Sequence, residues 1–315
     1  MAGAIACVFP GQGSQHVGMG QKLYKAHPLA RQVFAQASDI LGLDLASLCF
    51  RGPEEVLTDT LNVQPAILTL SIALWNVLQE SPFNSPHPMF LAGHSLGEYS
   101  ALVAAGALEF ADALRLVRRR GELMQAAGRE NPGGMAAVIG LDSETVERVC
   151  ARAKERTGGT LGVANHNSPD QIVISGDHAS LEEAMSLAEE EGARHVIPLA
   201  VSVASHSPFM APAAKVLGGI LEFTHIRRAR TPVVANVSAQ PIVEPEEIRR
   251  ELVSQLTGPV RWVESVEYMI AQGVDTFVEV GPGDVLRGLI RRIDREVERR
   301  GIEDILEASV GCESR

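Results

Sequence analysis

Between a short apolar run at 89–92 and a stretch of small residues at 98–107, the chain carries Gly93-His94-Ser95-Leu96-Gly97. The pentapeptide G-x-S-x-G is common by chance, but its setting here is informative. The apolar run reads as a buried strand and the small-residue stretch as a helix. A strand that turns into a helix over so few residues needs the two glycines, which allow a strained turn that lifts the serine above the sheet. Small residues such as Ala101, Ala104 and Ala105 let that helix pack close. Its N-terminal N–H groups and positive dipole end point towards Ser95 and favour a negative charge developing beside it. A serine hydroxyl is a poor nucleophile at its own pKa, so Ser95 also needs a base.

The flanking pattern fits an α/β sheet. Residues 4–9 form an apolar strand that Pro10 and Gly11 stop, and 63–78, with Trp75, reads as a buried helix. Pro82, Pro86 and Pro88 mark a loop, and 112–127 reads as a helix. The character changes near 129–134. Strand 135–140, helix 143–157, strands 161–165 and 171–175, acidic helix 178–191 and strand 195–203 follow in the order β-α-β-β-α-β, that of a ferredoxin-like module. Then come helix 212–223, strand 232–236, helices 245–256 and 262–272, strand 276–280 and helix 284–299, with a tail beyond Arg299. Gly281-Pro282-Gly283 turns a strand into the last helix. The expected fold is α/β: a large α/β-hydrolase-like domain with a parallel-sheet core, residues 1–128 and 205–315, and a small inserted ferredoxin-like domain, residues 129–204.

Composition narrows the classes of function. At 315 residues and 45% hydrophobic, the chain can bury a large core and exceeds the usual single domain. Cys7, Cys49, Cys150 and Cys312 stand singly, which argues against a disulfide framework or a cysteine zinc site and fits a reducing compartment. No cationic leader precedes the first strand, and no apolar stretch is read as long enough to span a bilayer. A cytoplasmic chain with no membrane partner is expected. A net charge of −11 disfavours nucleic acid. Basic clusters such as Arg118-Arg119-Arg120 and Arg291-Arg292 read mainly as solvated helix faces, though an anionic ligand or acidic carrier could find a local positive rim.

Nine histidines compete for the role of base. His94 lies inside the elbow, where the residue before the nucleophile usually points away from the cleft. His206, in Ala204-Ser205-His206-Ser207-Pro208, follows a strand and precedes a helix, and such strand-end loops of open sheets collect catalytic groups. No aspartate or glutamate stands out to orient it. Asn165 and Asn167 either line the cleft or make Asx turns, the latter preferred for Asn167.

Taken together, Phe9-Pro10-Gly11-Gln12-Gly13-Ser14-Gln15, Gly93-His94-Ser95-Leu96-Gly97-Glu98, Arg120-Gly121 with Met124-Gln125, Ala164-Asn165-His166-Asn167-Ser168-Pro169, Ser205-His206 and Val280-Gly281-Pro282-Gly283 occur in an order that resembles malonyl-CoA:acyl carrier protein transacylases, acyltransferases of fatty acid and polyketide synthesis. The resemblance runs over nearly the whole chain. It implies that Ser95 is the nucleophile and His206 the general base. It further implies that the amides of Gln12 and Leu96 form an oxyanion hole and that Arg120 holds a malonyl carboxylate. The main-chain carbonyl of Gln255 would orient His206, which accounts for the missing acid. An unpaired carboxylate is costly in a water-poor cleft, and a guanidinium matches it with two parallel hydrogen bonds. Arg118 and Arg119, turned away in steps of about 100° around the helix, are expected at the surface.

The implied reaction is a ping-pong transfer of malonyl from coenzyme A to the phosphopantetheine thiol of an acyl carrier protein, by a monomer needing no metal or other cofactor. Three rivals remain at this stage. A polyketide acyltransferase would load another extender unit, which the small Ser205 does not exclude. A serine esterase would use a carboxylic orienter and no Arg120, and a binding module would never acylate Ser95.

Overall fold

The computed structural model describes residues 3–80, 87–201 and 203–302. Strand β1 (Ala4–Phe9) is the centre of the larger sheet, between β2 (Phe90–Gly93) and β9 (Val274–Glu279). Alternate residues of a strand face opposite sides. Cys7 and Phe9 accordingly enter one core with the helix Thr60–Glu80, while Ala6 and Val8 enter a second core with Trp262 and Phe277. With both faces covered, every second position cannot be polar, hence the continuous apolar run in the sequence.

The sheet order is β10-β9-β1-β2-β7-β8. Here β7 is Val233–Val234, β8 is Pro241–Ile242 and β10 is Glu298–Gly301. All neighbours run parallel except the β7–β8 pair. The register sets Phe9 beside Gly93, so the loop after β1 and the elbow after β2 leave the sheet at the same carboxyl edge, where open parallel sheets bind ligands.

A second, four-stranded antiparallel sheet lies wholly between residues 133 and 198, ordered β4-β5-β3-β6. Its strands are β3 (Gly133–Ile139), β4 (Leu161–Ser168), β5 (Gln171–Asp177) and β6 (His195–Pro198). Helices Ser143–Thr157 and His178–Glu190 cover one face. The other face carries Met135, Ala137, Ala164 and Val173 with Leu199 and Val201 packed on them. The outer edge of β4 is tied to the large domain: His166 N–H donates to Val260 O (2.9 Å) and Val260 N–H to Ala164 O (2.8 Å).

Three expectations need correcting. The closing strand ends at Pro198 and does not reach 203; beyond it the chain leaves the sheet and lines the cleft. The last helix is Val285–Ile293 only. Asp294 is extended and its carboxylate accepts the Glu296 N–H (2.7 Å), a local bond that competes with helix. Val297 then enters the core and residues 298–301 add β10 beside β9, so Arg300, Gly301 and the buried Ile302 are no tail. The expected tail past 302 lies outside the described residues, as do Pro82, Pro86 and Cys312. Finally, Thr60–Glu80 has 21 residues and a mean hydropathy of 1.4 over its most apolar window, long and apolar enough to cross a membrane. It is the core helix of the large domain, with 78% of that window buried.

Candidate active site

The elbow is built by exclusion. A Cβ on Gly93 would lie 2.0 Å from the Gly97 carbonyl carbon, and one on Gly97 2.0 Å from the Phe9 oxygen, so neither position accepts a side chain. Between them Ser95 sits at φ +50°, a left-handed conformation that a serine rarely adopts. Two side chains grip its backbone. Asn236 Oδ1 accepts the Ser95 N–H (2.7 Å) while its Nδ2 donates to Gly93 O (2.6 Å). Gln255 Nε2 donates to Ser95 O (2.9 Å).

His206 Nε2 lies 2.9 Å from Ser95 Oγ. Its Nδ1 is 2.8 Å from Gln255 O and 3.1 Å from Gly258 O. Carbonyls only accept, so the Nδ1 proton is fixed and Nε2 presents its lone pair to the serine. No carboxylate contacts the ring among the described residues. Burial, and next the positive charge of Arg120, push the His206 pKa down to about 3. The imidazole is therefore neutral, the form a general base requires.

Arg120 is 2% exposed, in the helix Phe110–Glu130. Nη1 donates to Gln64 Oε1 (2.8 Å), and Nη2 to Gln255 Oε1 (3.1 Å) and Ser95 Oγ (3.2 Å). Its guanidinium carbon stands 5.8 Å from the Tyr99 ring centroid. Among the described residues it has no carboxylate within ion-pair distance, and its Nε has no hydrogen-bond partner. A wholly buried cation held only by neutral acceptors is a site awaiting an anion. Arg119 is exposed and paired with Glu122 (2.8 Å), as the helical spacing predicts; Arg118 is only half-exposed, donating to Leu61 O and Asn62 Oδ1 (3.0 Å each).

Ser95, His206 and Arg120 face one cavity of about 470 Å³ between the two sheets, which Gln12 and Leu96 also line. The N–H groups of Gln12 and Leu96 donate to nothing among the described residues, whereas the Ser95 N–H is taken by Asn236. The loop after β1 presses on the elbow so closely that a Cβ on Gly11 would fall 2.3 Å from His94 O.

Sequence reading misplaced two residues and missed three. His94 does not point away: it lines the cavity, its Nε2 2.7 Å from Asn167 Oδ1 and its ring edge-on to Trp262 at 5.7 Å. Asn167 consequently faces the cleft from β4, as Asn165 does, and makes no Asx turn. Gln64, Glu98 and Asn236 were not assigned. Glu98 is fully buried, its Oε1 accepting the Asn236 N–H (3.0 Å) and its Oε2 the Gln255 Nε2. Burial and the nearby Glu251 push its carboxyl well above the usual range, while those N–H groups work the other way. A lone acid one residue past the elbow, in an otherwise apolar helix start, was the available signal.

A serine in a strand–elbow–helix turn, a neutral histidine behind it and a buried cation beside it define a serine-based acyl-transfer site with a taste for anionic acyl groups. The chain belongs to the acyl transferase domain family, whose model matches residues 6–306, and within it to the malonyl CoA-acyl carrier protein transacylases. It is 47% identical to the transacylase of that name from Bacillus subtilis (strain 168) over 300 residues, 95% of this chain and 93% of the relative. A crystal structure of an acyl carrier protein S-malonyltransferase from Vibrio cholerae superposes with a TM-score of 0.90 at 45% identity, covering 94% of this chain and 96% of that one. A malonyl-transacylase in complex with a type II polyketide-synthase acyl carrier protein gives 0.90 at 46% identity, covering 95% and 94%.

Proposed function

We propose that the protein transfers malonyl from malonyl-CoA to the phosphopantetheine thiol of an acyl carrier protein, in fatty acid biosynthesis, through an ester on Ser95. As Ser95 Oγ attacks the thioester carbonyl, its proton passes to His206 Nε2. The oxyanion takes the Gln12 and Leu96 N–H groups, which donate to nothing else among the described residues. Collapse breaks the C–S bond, and the departing coenzyme A thiolate recovers the proton from His206. The carrier thiol then gives its proton to His206 and attacks the ester, and Ser95 leaves with that proton. Arg120 receives the malonyl carboxylate. The reaction so drawn calls on no metal or other cofactor. We take the chain to act as a cytoplasmic monomer, in keeping with the free thiols of Cys7, Cys49 and Cys150.

The observation that carries this reading is Arg120, buried without an acidic partner and 3.2 Å from Ser95 Oγ. An esterase for neutral substrates has no use for it. The test is to weigh the intact protein after incubation with malonyl-CoA. A malonyl adduct on Ser95 that holo carrier protein discharges supports transfer, while free malonate supports hydrolysis. Arg120→Ala should weaken malonyl acylation by about 1.5–3 kcal/mol or more, the worth of a charged hydrogen-bonded pair, and so raise the relative acceptance of acetyl-CoA. Equal losses with both acyl groups would remove Arg120 from the role of clamp. The polyketide-carrier complex among the relatives keeps a second carrier class in view, and discharge by fatty-acid and polyketide carriers in parallel separates the two.

A further inference from the structure

The Ser95 backbone is held by more than its turn. Asn236 is 1% exposed and stands at the carboxyl end of β7, the strand beside β2. Its single carboxamide spans the nucleophile, accepting from the residue that carries the hydroxyl and donating to Gly93 two positions earlier (2.7 and 2.6 Å). Its own main chain is pinned at both ends, N–H to Glu98 Oε1 (3.0 Å) and O to the Arg261 N–H (2.9 Å). We propose that Asn236 is a positioning residue for the nucleophile: its side chain staples Gly93 O to Ser95 N–H, holds Ser95 at its left-handed φ, and keeps the Ser95 amide out of the oxyanion hole.

The proposal rests on Ser95 being the nucleophile and asks for something that packing does not, a group that donates at one end and accepts at the other. Alignment of a reacting atom is sensitive, and a shift of about 1 Å can cost about a hundredfold in rate. The same serine attacks both acyl groups, so the loss must be the same for malonyl and acetyl.

Asn236→Asp tests the requirement. The introduced carboxylate still accepts the Ser95 N–H but sets its second oxygen against Gly93 O. Protonated, it has an O–H to donate there, and the staple closes again. The titratable and charged groups around the position are Glu98 and Glu251, whose main-chain bonds lie at 236 and 237, with Arg120, His206 and Arg261 beyond them. The position is 1% exposed, and burial disfavours the charged form, which raises the pKa of an acid introduced there. The assay is the rate of Ser95 acylation by malonyl-CoA and acetyl-CoA, read by intact mass between pH 8 and 5.5 and divided by the wild-type rate at each pH so that other titrations cancel.

At pH 8 the ratio should be down about a hundredfold and should recover at least about tenfold by pH 5.5, with malonyl-to-acetyl preference unchanged within about twofold. A flat ratio, or a change in preference in place of rate, overturns the proposal. Asn236→Leu, which can neither accept nor donate, should show the loss with no recovery; recovery there would also overturn it. If wild-type protein forms no ester at Ser95, the nucleophile assignment fails and takes this inference with it, an outcome read from the wild type alone.

Discussion

His206 gives the most quantitative handle on the site. A free histidine titrates near 6.5, and in the folded protein burial and Arg120 hold it to about 3. Between those values the unfolded chain binds a proton that the folded protein refuses, so this residue's contribution to stability is fully present above pH 6.5 and falls as the pH drops towards 3. At pH 5.0 the loss is about 1.5 pKa units at 1.36 kcal/mol each, about 2 kcal/mol, and the full span would reach about 5 kcal/mol. Glu98, Glu251 and Glu279 have raised values and act with the opposite sign, so the wild type alone cannot isolate the effect. His206→Gln can, because only the histidine differs. Urea unfolding followed by the fluorescence of Trp75 and Trp262 at pH 7.5 and 5.0 should show the variant gaining about 2 kcal/mol on the wild type at the lower pH. Kinetics supply a second reading: kcat/KM for Ser95 acylation reports the free enzyme, so its acid limb should lie below pH 5 and not near 6.5. A stability gap that stays within about 0.5 kcal/mol, together with a limb near 6.5, would refute a neutral, charge-repelled imidazole.

Gly97→Ala places a methyl 2.0 Å from the Phe9 oxygen, at the carboxyl end of the central β1–β2 pair, and should cost more than about 4 kcal/mol or leave the protein insoluble; a soluble variant with near-wild-type melting would show that the elbow can relax. Asn167→Ala removes the 2.7 Å partner of His94 across the two sheets and should lower stability by about 1 kcal/mol in thermal melts, leaving malonyl-to-acetyl preference alone. An unchanged melt would mean that water satisfies His94 equally well.

What could be read beforehand was local or periodic. The elbow is five consecutive residues with a steric requirement, and β1 announces a doubly covered strand by its unbroken apolar run. The ferredoxin-like order appeared because each of its elements is amphipathic over its own length. The rest depends on contacts without a period. Asn236 meets Ser95 from 141 positions away and Gln255 from 160, and a buried amide leaves no repeating trace. Strand β8 has two residues, too few for any pattern, and the break at Asp294 turns on one side-chain bond that competes with continued helix. Arg120, Gln12 and Leu96 were placed through the ordered family motifs; position alone made His206 the better candidate among nine histidines and left Arg120 as one arginine of three in a row.

The missing acid of this site follows from the cation that defines it. A carboxylate on His206 Nδ1 would fix the same tautomer, but it would raise the imidazole's pKa and set an anion near Arg120, where the proposed reading seats the malonyl carboxylate. Two carbonyl dipoles, from Gln255 and Gly258, orient the ring without adding charge. Among the described residues the acid that does come close, Glu98, accepts N–H groups at both oxygens and makes no ion pair with Arg120. Gln255 then links the pieces: its main-chain oxygen steadies the base, its Nε2 steadies Ser95, and its Oε1 takes one Arg120 hydrogen while leaving the charge uncancelled. The same short segment continues to Val260, which hydrogen-bonds to β4. The segment whose carbonyls orient His206 is thus also the one to which β4, the edge of the small sheet, is hydrogen-bonded, so a displacement of that sheet should be felt behind the His206 ring.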